Sequence, residues 1–297
     1  MKVRIGYGFG TQRGFDAAQF NAMVDALDEL GFDSLWLSER ITADAPDPII
    51  GLAVAAGRSA RLKLGTSVQV LPGRNPALLA KELATLDVLS GGRFLPAFGL
   101  GIAHPAEQQA FGIERKQRAA YFEEALPLLR RFWLEDSVDH DGDRFHYEGL
   151  TVRPKPVQQP PDIWLGGRGP IELRRVGRLA DGWLASFSMP DECAAGRAAI
   201  EAAAAEHDRE IDPEHFGAMI LYSPGPLPEA VVTLIGSRSP DVDPNVLVPS
   251  NLDALERRIL EYLAVGFSKL VLVPLHQPDD WTTELRPIAA RVQPLQT

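Results

Sequence analysis

Apolar and polar residues alternate in blocks along the chain, and these blocks predict strands that are each followed by a helix. The short apolar runs have the composition of strands buried on both faces. The longer segments carry apolar residues at helical spacing, as at Phe20, Val24 and Leu27 after the potential N-cap Asp16. The predicted strands are Val3–Tyr7, Ser34–Ser38, Lys63–Leu71, Arg93–Leu100, Asp162–Leu165, Gly182–Ala185, His215–Tyr222 and Ser268–Val273.

The first four strand–helix units repeat about every 30 residues, the length of one βαβ unit. Residues 101–161 interrupt this repeat with a loop, a helix over about 117–135 and a polar hairpin over 139–152. Four further units follow. Eight units predict an α/β protein with the (β/α)8 TIM-barrel fold and an insertion after strand 4. Because periodicity does not show closure, a doubly wound open sheet is the alternative, and the lack of a linker predicts one domain over 1–297.

Composition narrows the class of protein. The chain has 297 residues, 45% of them apolar, and 30 basic against 40 acidic residues give a net charge of −10. This balance argues against binding to nucleic acid or to an anionic membrane surface. No apolar run approaches the roughly 20 residues that span a bilayer, and the N-terminal residues lack a signal-peptide pattern, so we expect a cytoplasmic protein. The single Cys193 excludes a disulfide framework and a cysteine-based zinc site.

Several chemistries lack their residues. In a TIM barrel the active site lies at the carboxyl ends of the strands. The six histidines form no H-x-H or H-E-x-x-H pair, so no metal site is predicted. The nucleophile-elbow and P-loop motifs are also absent from the sequence. Lys63 and Lys269 lie near strand starts, the wrong end of a barrel for a Schiff-base lysine.

Two glycine-rich segments remain as candidates. Residues 6–10 do not match G-x-G-x-x-G, although Glu39 ends strand two as a nicotinamide-binding fold requires. The segment 164–170 is more informative because it joins strand five directly to a helix. Its glycines let the backbone approach an anion, and its arginine adds positive charge. A tight turn without a ligand is equally compatible with this spacing.

Seven segments together resemble the bacterial luciferase-like superfamily of flavin-dependent monooxygenases and coenzyme F420-dependent reductases. They occur in the order typical of that family, which makes the resemblance specific. It implies a (β/α)8 barrel with an insertion, a loosely held flavin or deazaflavin, and often a homodimer. The segments are Gly31–Ser38, Leu64–Val68, Leu86–Phe94, Phe98–Gly101, Val152–Pro156, Ile163–Gly167 and Gly177–Trp183.

The resemblance implies a position for the cofactor. The third strand of relatives often carries a non-proline cis peptide against the cofactor ring, which would fall at Ser67–Val68. The loop 101–107 would border the ring, where His104 could hydrogen-bond it or move a proton, while Glu107 would be structural. The cofactor phosphate would lie on the glycine turn of strand five. The implied cofactor-binding residues are Ser67, Val68, Gly101, Gly166, Gly167, Arg168 and Gly169.

One position departs from the family pattern. Many relatives carry an acidic residue followed by histidine at the end of strand two, and in some deazaflavin members that histidine takes part in catalysis. This chain has Glu39 and Arg40 there. Arg40 cannot shuttle protons because its pKa stays above about 12. It could hold an anionic substrate or the reduced ring, or pair with Glu39 or Asp44. The candidate catalytic residues are therefore His104, Arg40 and Glu39.

These inferences predict an oxidoreductase that uses coenzyme F420 for hydride transfer to or from a small organic substrate. F420 is preferred because residues 65–68 and the arginine- and alanine-rich composition resemble actinobacterial deazaflavin members. One alternative is an FMN-dependent monooxygenase that uses reduced flavin and O2. Another is a catalytically silent flavin-binding protein. The sequence does not identify the substrate.

Overall fold

The computed structural model describes residues 1–10, 14–238, 240–276 and 278–297. The strands are β1 (Arg4–Gly8), β2 (Ser34–Leu37), β3 (Lys63–Thr66), β4 (Gln69–Val70), β5 (Phe94–Leu95), β6 (Ala97–Gly99), β7 (Val138–Asp141), β8 (His146–Leu150), β9 (Trp164–Leu165), β10 (Gly182–Ala185), β11 (Phe216–Tyr222) and β12 (Lys269–Pro274). All except the antiparallel hairpin β7–β8 belong to one parallel sheet.

The parallel sheet closes into an eight-stranded barrel. Hydrogen bonding gives the order β4-β6-β9-β10-β11-β12-β1-β2-β3-β5. β3 and β4 are parts of one strand interrupted at residues 67–68, and β5 and β6 are parts of the next, interrupted at Pro96. The parts match pairwise, since β3 pairs with β5 and β4 with β6. The pairing of β1 with β12 joins the first and eighth strands. The predicted (β/α)8 fold is confirmed, and the open-sheet alternative is excluded.

The helices surround the barrel, and local sequence explains several of their ends. Asp16 caps the first helix by accepting a hydrogen bond from the Gln19 N–H at 2.8 Å. Gly91 ends the third helix in the left-handed conformation that glycine adopts most readily. The helices are α1 (Ala17–Glu29), α2 (Pro48–Arg58), α3 (Pro76–Ser90), α4 (Pro105–Phe111), α5 (Arg118–Leu134), α6 (Pro170–Leu179), α7 (Pro190–Ala205), α8 (Glu229–Arg238), α9 (Pro244–Leu247), α10 (Leu252–Ala264) and α11 (Trp281–Val292).

The insertion follows the fourth strand as predicted. Residues 101–161 contain α4, α5 and the hairpin β7–β8. α5 packs on α3, where the Trp133 indole N–H donates to the Ala80 carbonyl at 3.1 Å. Two segments predicted as loops, 101–116 and 223–250, contain the helices α4, α8 and α9. In the part of the chain that the structure describes, every helix is too short or too polar to cross a membrane.

The two ends of the barrel differ. Trp36 and Trp164 are fully buried inside the ring, and a Cβ at Gly65 would overlap the Trp36 indole. At the amino-terminal end, Asp33 lies 3.5 Å from Lys269 and 3.7 Å from Lys63. Burial lowers the pKa of Lys269 to about 8, although Asp33 opposes that shift. Both lysines thus lie at the starts of their strands, as expected, and the carboxyl end remains for a functional site.

Candidate active site

A cavity of about 720 Å3 opens at the carboxyl ends of the strands, a volume in the range of small-molecule and cofactor sites. Its wall has two parts. We call the ends of β2, β4, β6 and β9, with α4, α5 and α6, the charged arc. Its charged residues are Glu39, Arg40, Glu107, Arg115, Arg168, Glu172 and Arg175. We call the ends of β10, β11 and β12, with α8, the apolar arc. Its residues are Leu184, Ser186, Phe187, Met219, Leu221, Val231, Leu234, Ile235, Val273, Pro274 and Leu275.

Most of the residues implied by the resemblance meet at this cavity. Ser67, Val68, Gly101 and the glycine turn 166–169 all line it, as do both residues at the end of β2. His104 does not. It is exposed at the start of α4 and makes no capping hydrogen bond through its side chain. The described lining residues contain no histidine at all, so proton transfer in this cavity would require other groups.

The wall at the third strand is formed by Ser67 and Val68. The peptide bond between them is cis, as predicted. The Ser38 hydroxyl donates to the Ser67 carbonyl at 2.8 Å and lies 3.1 Å from the Ser67 hydroxyl. Val68 packs closely against β6, because a Cβ at Gly99 would lie only 2.6 Å from Val68 Cγ2. Two hydroxyl groups and a valine side chain therefore form this wall.

The carboxylate of Glu39 is fully engaged within the protein. It accepts hydrogen bonds from the Gln69 side chain at 3.0 Å and from the Val70 N–H at 2.7 Å, and it pairs with the Arg74 guanidinium. Burial raises the pKa of Glu39, while the charge of Arg74 and the Val70 N–H oppose that shift. Glu39 therefore fixes the start of β4 and acts as a positioning residue, which differs from the expected catalytic role.

Arg40 pairs with a residue of the insertion. Its Nε lies 3.6 Å from Glu107 Oε1, so its partner is neither Glu39 nor Asp44 as expected. Glu107 also accepts hydrogen bonds from the Thr42 N–H at 3.1 Å and the Thr42 hydroxyl at 2.8 Å. Burial alone would raise the pKa of Glu107, but these hydrogen bonds and Arg40 outweigh it and leave the pKa below its ordinary value. The structural role predicted for Glu107 is confirmed.

The glycine turn after β9 already uses most of its N–H groups. Those of Arg168 and Gly169 both donate to Glu172 Oε2 at 2.9 Å. The Gly166 N–H donates to the Phe98 carbonyl at 3.1 Å. The Glu172 carboxylate thus occupies the position that the sequence indicated for a phosphate. An anion bound to these two N–H groups would have to displace that carboxylate.

Gly167 and Arg168 shape the same turn in different ways. Gly167 has φ of 112°, and a Cβ there would lie 2.8 Å from the Cβ of Glu172, so only glycine fits without strain. The Arg168 guanidinium donates to the Phe187 carbonyl at 2.6 Å. Phe187 itself has φ of 54°, a conformation that a bulky residue rarely adopts. Arg168 therefore bridges the charged arc to the apolar arc.

Sequence reasoning missed the wall formed by α8. Val231, Leu234 and Ile235 line the cavity, but they lie in a segment predicted as a loop. Their spacing of three and four residues is typical of one face of a helix and was an available signal. Arg115 and Arg175 were missed as well, because nothing local marks an arginine as facing a cavity.

A closed (β/α)8 barrel with a ligand-sized cavity across its carboxyl end defines a class of protein that binds small molecules at its strand ends. Within that class, the luciferase-like monooxygenase family matches residues 3–239. The chain therefore belongs to the luciferase-like monooxygenase family, and the resemblance found in the sequence is confirmed. Among the described residues, no group of three or more histidine, cysteine, aspartate or glutamate side chains is placed to hold a metal ion.

Relatives within this family include oxidoreductases. The chain is 31% identical over 192 residues to a protein of Kineococcus radiotolerans named F420-dependent glucose-6-phosphate dehydrogenase, covering 61% of this chain and 56% of that protein. The chain thus matches little more than half the length of such curated relatives.

Solved structures share the fold over nearly the whole chain. The monooxygenase RslO1 from Streptomyces bottropensis has a TM-score of 0.81 and 22% identity, covering 98% of this chain and 99% of that one. An F420-dependent secondary alcohol dehydrogenase in complex with an F420-acetone adduct has a TM-score of 0.79 and 19% identity, again with 98% and 99% coverage. These similarities show the fold alone.

Proposed function

We propose that the protein is an oxidoreductase that uses coenzyme F420 for hydride transfer to or from a small organic substrate. The two-sided cavity carries this proposal. In a protein of net charge −10, four arginines line one arc and face a largely apolar opposite wall. Such a site suits a flat tricyclic ring with an anionic tail. The Kineococcus relative named as F420-dependent supports the same cofactor.

The residues present fit a deazaflavin. Ser67 and Val68 would contact the ring, as the family resemblance implies. The arginines of the charged arc would hold the anionic tail, because the N–H groups of the glycine turn already donate to Glu172. The buried Nε of Arg40 makes no hydrogen bond within the described part of the chain, so one donor of this wall remains unused.

The chain supplies orientation and proton handling around the cofactor. When bound, F420 supplies two-electron hydride chemistry. The Ser38 and Ser67 hydroxyls lie 3.1 Å apart in the wall and can pass a proton to or from a substrate oxygen. The Arg40 guanidinium, which stays charged, can stabilise negative charge that develops on that oxygen.

The test is a fluorescence titration of the purified protein with F420 and with FMN, followed by turnover assays with each reduced cofactor. We expect F420 to bind more tightly and its reduced form to be oxidised when an organic acceptor is added. Tighter binding of FMN together with oxygen consumption would identify a monooxygenase instead. Binding without turnover over a broad acceptor panel would identify a flavin carrier.

We further propose a cytoplasmic homodimer. The neighbouring helices α2 and α3 expose the apolar side chains of Ile50, Val54 and Leu78. Exposed apolar groups on adjacent helices are typical of surfaces that bury themselves in association. Light scattering should give twice the monomer mass, and Ile50→Glu should shift the protein towards the monomer. A monomeric wild-type protein at micromolar concentration would contradict the proposal.

A further inference from the structure

The apolar arc carries information about the substrate. Of its eleven described lining residues, only Ser186 has a polar side chain, and none is charged. We propose that this arc is the substrate chamber and that the substrate is an uncharged molecule with an apolar body, not a phosphorylated or carboxylated compound. This inference rests on the proposed function, because it specifies which substrates the same cavity accepts.

The position of the arc follows from the order of strands. In a ring of eight strands, positions four apart face each other. β11 and β12 are the seventh and eighth strands, so they lie opposite the third strand, with Ser67 and Val68, and the fourth strand, with Gly99. A substrate that reacts with a ring held against the third strand must therefore extend towards β11, β12 and α8.

The chamber wall is packed and has few polar groups. Val231 and Ile235 of α8 are fully buried against Leu247, Val248 and Leu275. Leu234 is half-buried and also lines the cavity. An ionised group placed against this wall would lose its hydration without gaining hydrogen bonds, which is strongly unfavourable. An alkyl group would gain binding free energy in proportion to the area it buries.

The charged side chains of the cavity lie on the other arc, and several already have partners. Arg40 is 3.6 Å from Glu107, and Arg175 is 3.2 Å from Glu123. If the charged arc holds the cofactor tail, its cations serve the cofactor. A substrate phosphate would then have no cation on the apolar side among the described lining residues.

The test uses a ketone series of increasing length, 2-butanone, 2-hexanone and 2-octanone, with glucose 6-phosphate as the anionic comparison. Ketone reduction transfers a hydride from reduced F420 to the carbonyl carbon and a proton to the oxygen. The substrate thereby gains two electrons that the cofactor loses, and a secondary alcohol forms. We expect kcat/KM to rise about fourfold per added methylene until the chamber is filled. Glucose 6-phosphate should be at least about 100-fold poorer than 2-octanone.

A second readout does not depend on turnover. Calorimetric titration of the cofactor-free protein with the same ketones should show the same increase of affinity with chain length. Leu234→Lys places a cation in the chamber wall and should abolish the length dependence in both measurements. Val232→Lys is the matched control, because Val232 lies on the same helix, is 39% exposed and does not line the cavity. Its length dependence should equal that of the wild type.

The outcomes separate the two proposals. Affinities that do not depend on ketone length, or glucose 6-phosphate that matches 2-octanone, would overturn the apolar chamber even if F420 binds. Length-dependent ketone binding that Leu234→Lys abolishes would support the chamber even if F420 fails to bind and the proposed function is lost. Thermal unfolding of both lysine variants checks that they fold. If Leu234→Lys does not fold, Leu234→Ala replaces it, and an unchanged length dependence there would overturn the chamber.

Discussion

The charged arc and the apolar arc are both built from strand ends of one barrel, yet their side chains do different work. On the charged arc, Glu39, Glu107 and Glu172 direct their carboxylates at backbone N–H groups and hold particular loops in place. On the apolar arc, residues such as Ile235 only pack against their neighbours. The first arc depends on the geometry of individual hydrogen bonds, whereas the second depends on shape and volume.

This difference predicts how the two arcs respond to substitution. A buried carboxylate with several donors is costly to remove, because each donor loses its partner. An apolar residue can be exchanged for another of similar volume at little cost. The following predictions compare the arcs, from the largest expected effect to the smallest.

Glu39→Ala should lower the free energy of unfolding by about 3 kcal/mol, because it leaves Arg74 and the Val70 N–H without their acceptor. Urea denaturation measures this change. Glu39→Gln keeps an acceptor and should lose less. A loss below about 1 kcal/mol for the alanine variant would show that water replaces the carboxylate and that the arc tolerates its removal.

Gly167→Val should weaken F420 binding at least tenfold, about 1.4 kcal/mol, because the side chain strains the turn at φ of 112° and meets Glu172. Fluorescence titration gives the affinity. Gly112→Val is the matched control, since Gly112 also has positive φ but does not line the cavity. Equal cofactor affinities for the two variants would remove the turn from the binding site.

Glu107→Gln should destabilise the protein by about 1 kcal/mol at pH 7, because the Thr42 and Arg40 contacts favour the charged carboxylate. The folded-state pKa of Glu107 is lowered from its ordinary 4.5, so its contribution is present above that pH and lost as the pH falls through the folded value. The difference between wild type and variant in chemical denaturation should therefore shrink on acidification. A difference that grows at low pH would show the opposite sign.

Met219→Leu on the apolar arc should change the free energy of unfolding by less than about 1 kcal/mol and leave F420 affinity unaltered, because the volumes are similar. The same denaturation and titration assays apply. Should this variant lose as much as Glu39→Ala, the distinction between the arcs would fail.

Local patterns carried much of the prediction. The cis bond at Ser67–Val68 and most of the cavity residues were found because the family resemblance rests on short segments of contiguous sequence. His104 shows where this reasoning fails. It lies in the predicted loop, but α4 begins there and leaves its side chain exposed. No short segment indicates on which side of a helix start a side chain will lie.

Pairing between distant residues was likewise out of reach. Arg40 has acidic neighbours in sequence, yet it pairs with Glu107, which the insertion brings close. Glu172 takes the N–H groups of its own helix start, although the glycine spacing indicated a free anion site. Both outcomes depend on which acceptor is nearest in space, and sequence spacing does not give that distance.

The sequence by itself determined the order of strands and helices, the position of the insertion and the end of the barrel where the site lies. These follow from hydrophobic periodicity and chain direction, which are local properties. Only the tertiary structure decided that the ring closes, that α8 forms one wall of the cavity, and that charge collects on one arc while the opposite arc stays apolar. Those features depend on contacts between residues far apart in the chain, and the free energy of such contacts exists only once the barrel has formed.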